Sequence, residues 1–103
     1  MSIDFDRSEI KRQPSHPGEI LKLLYIEEIE GLSQQKLAKA LGVSFRTINM
    51  ICNKKRAVSA SMAVKLGAYF KTSAEMWIDL QSKYDLWNAK KETDISHIHP
   101  LAV

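Results

Sequence analysis

The chain has 103 residues and a mass of 11.7 kDa, with 45% hydrophobic and 26% charged residues, which indicates one folded domain and excludes a disordered chain or a fibre. It has no apolar run of the roughly 18 residues that cross a membrane and no secretory signal, so we expect a cytoplasmic protein. Its single cysteine, Cys52, predicts that it has no internal disulfide, and we expect no metal and no cofactor. The net charge is +3, but it is unevenly distributed. Eight basic residues and no acidic residue lie between Gly31 and Ala74. The remaining chain has seven basic and all 12 acidic residues, a net charge of −5. A segment this one-sided attracts polyanions.

The first element in chain order is a predicted helix that begins near Pro17. Residues 1–15 have scattered apolar residues and mixed charge, and are typical of a loosely held N-terminal arm. Pro17 suits the first turn of a helix, with Ser15 or His16 as its cap, and Gly31 ends the element. The apolar residues that follow at helical spacing are Ile20, Leu21, Leu24 and Tyr25.

Three shorter helices are predicted next, each opened by a serine. The second helix begins at Ser33 and stops at Gly42, the third is capped by Ser44, and the fourth begins at Ser59 or Ser61. The residues expected to point inward are Leu37, Ala38, Leu41, Ile48, Ile51, Met62, Ala63, Leu66 and Phe70.

A long fifth helix follows the segment Thr72-Ser73-Ala74-Glu75, which matches a capping box with Thr72 as the cap. Residues 92–103 alternate weakly and are compatible with a strand or a tail. No other run of strands is evident, so we expect an all-α fold of about five helices. The predicted divisions are the arm at 1–15, the domain at 16–91 and the tail at 92–103.

The segment from Ser33 to Ile51 meets the requirements of a helix-turn-helix. Ala38 is small where two helices must cross closely, and Gly42 suits a turn residue with positive φ. Ser44 then caps the third helix. Each of these features alone is weak, but together, inside a segment without acidic residues, they predict a DNA-binding unit.

The exposed side of the third helix is expected to lie in the major groove of DNA. Arg46 can form two hydrogen bonds to guanine and Asn49 can do the same with adenine, while Phe45 and Met50 suit thymine methyl groups. Gln34, at the start of the second helix, is placed to bind a phosphate. The predicted DNA-contacting residues are Gln34, Gln35, Ser44, Phe45, Arg46, Thr47, Asn49, Met50, Lys54, Lys55 and Arg56. The alternative is a helical hairpin that only packs, with Phe45 and Met50 buried.

The pattern Ser33-Gln34…Leu37-Ala38…Leu41-Gly42-Val43-Ser44…Thr47-Ile48…Ile51 resembles the lambda-repressor-type (XRE) helix-turn-helix. More narrowly, His16-Pro17-Gly18-Glu19 before it and Phe70…Thr72-Ser73…Glu75…Trp77…Leu80-Gln81…Tyr84-Asp85-Leu86 after it resemble the HigA/VapI antitoxins. The match covers roughly residues 16–91. This resemblance implies a dimeric antitoxin that represses its own operon and neutralises a HigB-type toxin that cleaves mRNA.

One position departs from the family, which usually has Asn-Gly-Lys/Arg after the third helix where this chain has Asn53-Lys54-Lys55-Arg56. Lys54 must adopt the left-handed conformation at a cost of about 1 kcal/mol, or the turn is reshaped and Asn53 takes over that conformation. The phosphate contact that the resemblance implies for Lys55 depends on which of these occurs.

A stripe of large side chains on the fifth helix suggests a two-fold interface. Five short helices offer limited surface for burying two tryptophans and a tyrosine, so we expect the stripe to be shared between the core and a homodimer contact. A two-fold dimer also suits palindromic half-sites in DNA. The predicted interface residues are Trp77, Leu80, Tyr84, Leu86 and Trp87.

Other functions fit the sequence less well. His16, His97 and His99 have no accompanying cysteine, so no metal site is predicted, and nothing groups as a catalytic set or a phosphate loop, so we expect no enzyme and no small-molecule substrate. Two alternatives stay open: a stand-alone XRE-type repressor without a toxin, and a helical protein-interaction module that does not bind DNA. The acidic residues that a basic toxin would contact are Asp4, Asp6, Glu9, Glu27, Glu28 and Glu30.

Overall fold

The computed structural model describes residues 12–102, which contain five helices and no strand. The all-α prediction is confirmed. Most of the predicted arm, residues 1–11, lies outside the described residues, and residues 93–102 follow the last helix with a single turn in which Ile98 N donates to Ile95 O at 3.0 Å. The helices are α1 (Pro17–Ile20, continued by a π-helical turn at Leu21–Ile26), α2 (Gln34–Leu41), α3 (Phe45–Cys52), α4 (Ala60–Phe70) and α5 (Ala74–Glu92).

Serine caps open four of these helices, because a hydroxyl at the N-cap accepts from a backbone N–H that has no partner within the helix. The predicted caps Ser33 and Ser44 are confirmed, and Ser59 rather than Ser61 caps α4. The capping box with Thr72 as the cap is wrong by one residue. The hydroxyl of Ser73 accepts from Met76 N at 3.1 Å and caps α5. Thr72 Oγ1 instead accepts from the indole N–H of Trp77 at 2.9 Å, which satisfies a donor that would otherwise be buried without a partner.

The second half of α1 does not follow the spacing of an ordinary α-helix. Its backbone closes i to i+5, as in the bond from Glu27 N to Lys22 O at 3.0 Å. The wider turn buries Leu21 and Ile26, five residues apart, and leaves Leu24 59% exposed. Leu24 lies at helical spacing from Ile20 and Leu21 in the sequence but does not join the core, because the π-helical turn breaks the regular period of 3.6 residues.

The core lies between α1, α2, α3 and α4 and is closed on one side by α5. Trp77 is the largest fully buried side chain, and its ring lies against Tyr25 (5.3 Å between centroids) and Phe70 (6.3 Å). A residue with no exposed surface cannot contact a second copy, so the prediction that places Trp77 in a dimer interface is wrong. Buried hydrophobic residues are Leu21, Ile26, Leu37, Ala38, Leu41, Ile48, Ile51, Cys52, Val58, Met62, Ala63, Leu66 and Trp77.

A buried glutamine joins α5 to the loop before α4. The side-chain oxygen of Gln81 accepts from Val58 N at 2.8 Å, and its Nε2 donates to Asp85 Oδ1 at 2.9 Å. Gln81 is only 6% exposed, so these two bonds satisfy an amide that would be costly to bury alone. The same bond gives the backbone N–H of Val58 an acceptor in a segment that has no helix or strand hydrogen bonds.

The start of α1 packs directly on the end of α3. The Cα of Gly18 faces the carbonyl oxygen of Ile51, and a Cβ at Gly18 would overlap that backbone atom. The preceding residue, Pro17, occupies the first helical position and is buried. The glycine at position 18 therefore allows the backbones of α1 and α3 to lie in contact.

His16 caps α1 and lies against α5. Its Nδ1 accepts from Gly18 N at 2.9 Å, and its ring makes an edge contact with Tyr84, with centroids 4.8 Å apart. Burial lowers the pKa of His16 below its ordinary value of 6.5, although Asp85 and Glu19 oppose the shift. The neutral ring is therefore the form that the fold holds, because protonation of Nδ1 would remove the capping acceptor.

Gly18→Ala tests the contact between α1 and α3. We expect it to lower the free energy of unfolding by about 3 kcal/mol, because the overlap is with backbone that cannot rotate away. Gly42→Ala is the matched control: its Cβ would meet nothing within 4 Å, and only its φ of +70° opposes a side chain, at about 1 kcal/mol. Urea unfolding measures both. A smaller loss for Gly18→Ala than for Gly42→Ala would contradict the close approach.

The pH dependence of stability tests the cap at His16. The unfolded chain takes up a proton near pH 6.5, before the folded chain does, so the free energy of unfolding should fall as the pH drops below about 6.5. Asparagine also caps helices but does not titrate, so His16→Asn should flatten this fall between pH 6.5 and 5. His97→Asn, in the exposed tail, is the control and should behave as wild type. An unchanged slope in His16→Asn would contradict the assignment.

Candidate nucleic-acid interface

The turn between α2 and α3 has the geometry that the sequence predicts. Gly42 has φ +70° and ψ 32°, in the left-handed region, and Val43 N donates to Ala38 O at 3.0 Å. Ala38 is 3% exposed where the two helices approach each other. This turn ends α2 and places Ser44 at the start of α3, so the helix-turn-helix prediction is confirmed in its backbone.

Helix α3 has one buried and one open side. Ile48, Ile51 and Cys52 are buried, and burial raises the pKa of the Cys52 thiol to about 11. On the other side Arg46 is exposed and Phe45 is 47% exposed. The alternative in which the helix only packs, with Phe45 buried, is therefore wrong. The half-buried residues Thr47, Asn49 and Met50 complete the open side.

Three side-chain amides connect the end of α3 to the start of α2. Asn53, the C-cap of α3, donates from Nδ2 to Asn49 Oδ1 at 3.1 Å. Asn49 in turn donates from Nδ2 to Gln34 Oε1 at 3.1 Å. The predicted residues Gln34 and Asn49 are thus brought together. The sequence-based prediction did not include Asn53 in this site, although an asparagine four residues after Asn49, one helical turn further on, is a signal that could have found it.

The N-terminal turn of α3 gathers hydroxyl and guanidinium groups. The hydroxyl of Ser44 accepts from Thr47 N at 3.1 Å and lies 2.9 Å from Thr47 Oγ1. The guanidinium of Arg56 reaches back from the following loop and donates to Thr47 Oγ1 at 3.4 Å. Arg46 lies on the same turn, so two arginines and the free N–H groups of the helix start make this region strongly positive.

Lys54, and not Asn53, adopts the left-handed conformation after α3. Lys54 has φ +61°, whereas Asn53 has φ −92° and ψ 12°. The side chain of Lys54 turns back to α1, where Nζ lies 3.0 Å from Glu19 Oε1, and this bond raises the pKa of Lys54. The ammonium group of Lys54 is therefore directed at α1, and a phosphate contact by Lys54 stays a prediction that requires it to leave Glu19.

The other residues predicted to contact DNA or a second copy of the chain are exposed or half-buried. Gln35 lies exposed on α2, and Lys55 is exposed beside Arg56. Of the predicted interface residues on α5, Leu86 is 56% exposed and three others, Leu80, Tyr84 and Trp87, are half-buried, so their role in a dimer stays a prediction.

Two further properties of residues 12–102 concern metal ions and membranes. No group of three or more His, Cys, Asp or Glu side chains lies close enough together to bind a metal ion. No helix in this part of the chain combines the length and the apolar character needed to cross a membrane.

Comparison with known proteins agrees with this geometry. Residues 28–77 match the family HTH_3, described as helix-turn-helix. Virulence-associated protein I of Dichelobacter nodosus is 40% identical over 103 residues, which covers 99% of this chain and 93% of that protein.

Solved structures with the same fold include proteins together with promoter or operator DNA. The structure described as Pseudomonas aeruginosa antitoxin HigA with higBA promoter has a TM-score of 0.77 and 45% identity, and covers 86% of this chain and 99% of that chain. The antitoxin GraA in complex with its operator has a TM-score of 0.81 and 37% identity, and covers 89% of this chain and 95% of that chain. Each of the two likenesses covers more than four-fifths of this chain.

Proposed function

The chain belongs to the XRE-type helix-turn-helix family that includes the HigA antitoxins, and on this premise we propose that it is an antitoxin that represses its own operon. In this proposal it binds operator DNA as a homodimer through α3 and neutralises an mRNA-cleaving toxin. The proposal contains no catalytic step, cofactor or small-molecule substrate. It places the protein in the cytoplasm, where both partners would be.

The open side of α3 is the observation that carries this proposal. An exposed phenylalanine next to an exposed arginine is unfavourable in the first turn of a helix that only packs, but it suits a surface that contacts base edges. The basic residues around it have no acidic neighbour in sequence from Gly31 to Ala74. A polyanion therefore meets no like charge on this segment.

We assign each group on this surface a role by its chemistry. Arg46 donates two hydrogen bonds to guanine, and Asn49 pairs with adenine through one donor and one acceptor. Phe45 and Met50 contact thymine methyl groups. The groups proposed to hold the phosphate backbone and set the register are Gln34, Gln35, Ser44, Thr47, Lys54, Lys55 and Arg56.

Helix α5 supplies the proposed dimer contact through its exposed and half-buried apolar residues. Two copies related by a two-fold axis would present two α3 helices to half-sites about one helical turn apart. The proposed contact residues are Leu80, Tyr84, Leu86 and Trp87.

The toxin partnership rests on the named relatives and on charge. The similar proteins of known structure include the antitoxin HigA of Pseudomonas aeruginosa, and a toxin that binds RNA must itself be basic. Glu27, Glu28 and Glu30 are exposed in the turn after α1 and offer a complementary surface. The second candidate function is a stand-alone repressor, which the same α3 geometry serves equally well without these carboxylates.

Arg46→Ala tests base recognition. We expect a loss of affinity of about 1–3 kcal/mol for the best-bound duplex from the gene's own upstream region, with little change for unrelated duplexes, because the lost bonds are to a base. Fluorescence anisotropy at fixed salt measures both affinities. Lys65→Ala removes an equal charge from α4 and should leave the ratio of affinities unchanged. If Arg46→Ala keeps the wild-type ratio, Arg46 does not read a base.

Charge reversal of Glu27, Glu28 and Glu30 to lysine tests the toxin surface. We expect the gene to adjoin one that encodes a small basic protein, and that protein should bind the wild-type chain. The variant should associate with it more slowly at low salt because electrostatic steering is lost. Reversal of Asp79, Glu92 and Asp94 changes the net charge equally and should slow association less. Equal rates for both variants would contradict this surface. Absence of any complex with the neighbouring gene product would favour the stand-alone repressor.

A further inference from the structure

The hydrogen bonds among Asn53, Asn49 and Gln34 run in one direction. Asn53 donates to Asn49, and Asn49 donates to Gln34, each over 3.1 Å. The middle amide uses its oxygen on one side and its nitrogen on the other. It therefore cannot rotate by 180° without exchanging an acceptor for a donor in both bonds.

The direction of these hydrogen bonds decides which donor and acceptor groups of Gln34 and Asn49 remain available to a ligand. A carboxamide has two N–H donors and two oxygen lone pairs. Gln34 is engaged through its oxygen, so both N–H groups of its Nε2 remain available, and a phosphate accepts hydrogen bonds but donates none. Asn49 keeps one N–H and one lone pair, which is the pair of groups that adenine requires.

The backbone at Asn53 does not explain the asparagine. Its φ of −92° and ψ of 12° are accessible to any residue, and it is Lys54 that occupies the left-handed region. The Asn53 side chain is exposed, and the bond to Asn49 is its hydrogen bond in the described structure. What the amide of Asn53 supplies is thus a donor to Asn49 Oδ1.

From this arrangement we infer that Asn53 is a positioning residue for DNA recognition. It sets the orientation of the Asn49 amide and, through Asn49, turns the donor end of Gln34 toward the phosphate backbone. Without it, both amides can reverse together, and Gln34 would then present an oxygen to a phosphate. The inference rests on the proposed function and adds to it a residue whose effect passes through Asn49.

A double-mutant cycle tests this dependence. The probe is a 30-base-pair duplex from the gene's own upstream region that the wild-type chain binds more tightly than a scrambled duplex of equal composition. Loss of one neutral hydrogen bond corresponds to about a three- to tenfold weaker Kd, so Asn53→Ala should lose that factor on the chosen duplex. It should lose less on the scrambled duplex, where only the phosphate contact of Gln34 is affected. In the Asn49→Ala background the same substitution should cost nothing further.

Asn53→Asp makes the test sharper because it keeps the shape of the side chain but cannot donate from it. The carboxylate would accept from the Asn49 nitrogen and so reverse both amides. Its added negative charge also weakens DNA binding, and the Asn49→Ala background measures that charge effect alone. We expect a loss beyond the charge effect only when Asn49 is present. Thermal unfolding of every variant shows whether the fold is retained, and Asn53→Ala should unfold as wild type does.

Two results would overturn the inference. An equal loss for Asn53→Ala with and without Asn49 would show that Asn53 contacts DNA directly, and no loss in either background would show that the bond to Asn49 has no effect on recognition. Failure of the proposed function is distinct from both, because the wild-type chain would then fail to distinguish the chosen duplex from the scrambled one.

Discussion

The close contact between the first turn of α1 and the last turn of α3 is the constraint on which the rest of the structure depends. The absent Cβ of Gly18 lets the two backbones meet at Ile51, His16 caps the same turn, and Glu19 pairs with Lys54 just beyond α3. Because the inner side of α3 is held in this way, its outer side is fixed relative to α2. The four residues from His16 to Glu19 therefore act on the recognition helix, although they lie 26 or more positions before it in the chain.

Rigidity on the outer side of α3 comes from polar contacts. The amides of Asn53, Asn49 and Gln34 are joined across two helices, and Thr47 joins Ser44 to Arg56. Side chains ordered before binding lose less conformational entropy when they meet a partner, so more of the contact energy is available for affinity and specificity. Arg46 stands apart from these networks as an exposed group. The surface thus combines side chains held in place by hydrogen bonds with the long side chain of Arg46, which can adjust its position to a base.

Local signals predicted the helices, three of the serine caps and the turn at Gly42, because hydrophobic period, capping chemistry and positive φ are properties of a few adjacent residues. Contacts between distant residues were not predictable in this way. The pairing of Glu19 with Lys54 and the burial of Gln81 depend on how helices pack, and the π-helical turn that exposes Leu24 breaks the period on which the sequence analysis relied. Trp77 was placed in a dimer interface for a similar reason. Periodicity shows which side of a helix is apolar, but not whether that side packs in the core or against a second copy of the chain.

Methylation interference on the upstream region of the gene tests most directly the claim that the outer side of α3 enters the major groove. Dimethyl sulfate methylates guanine at N7, which lies in that groove, and adenine at N3, which lies in the minor groove. Methylated guanines should be depleted from the protein-bound DNA at positions about one helical turn apart. Bound DNA that retains its methylated guanines, or that is depleted only of methylated adenines, would contradict the claim.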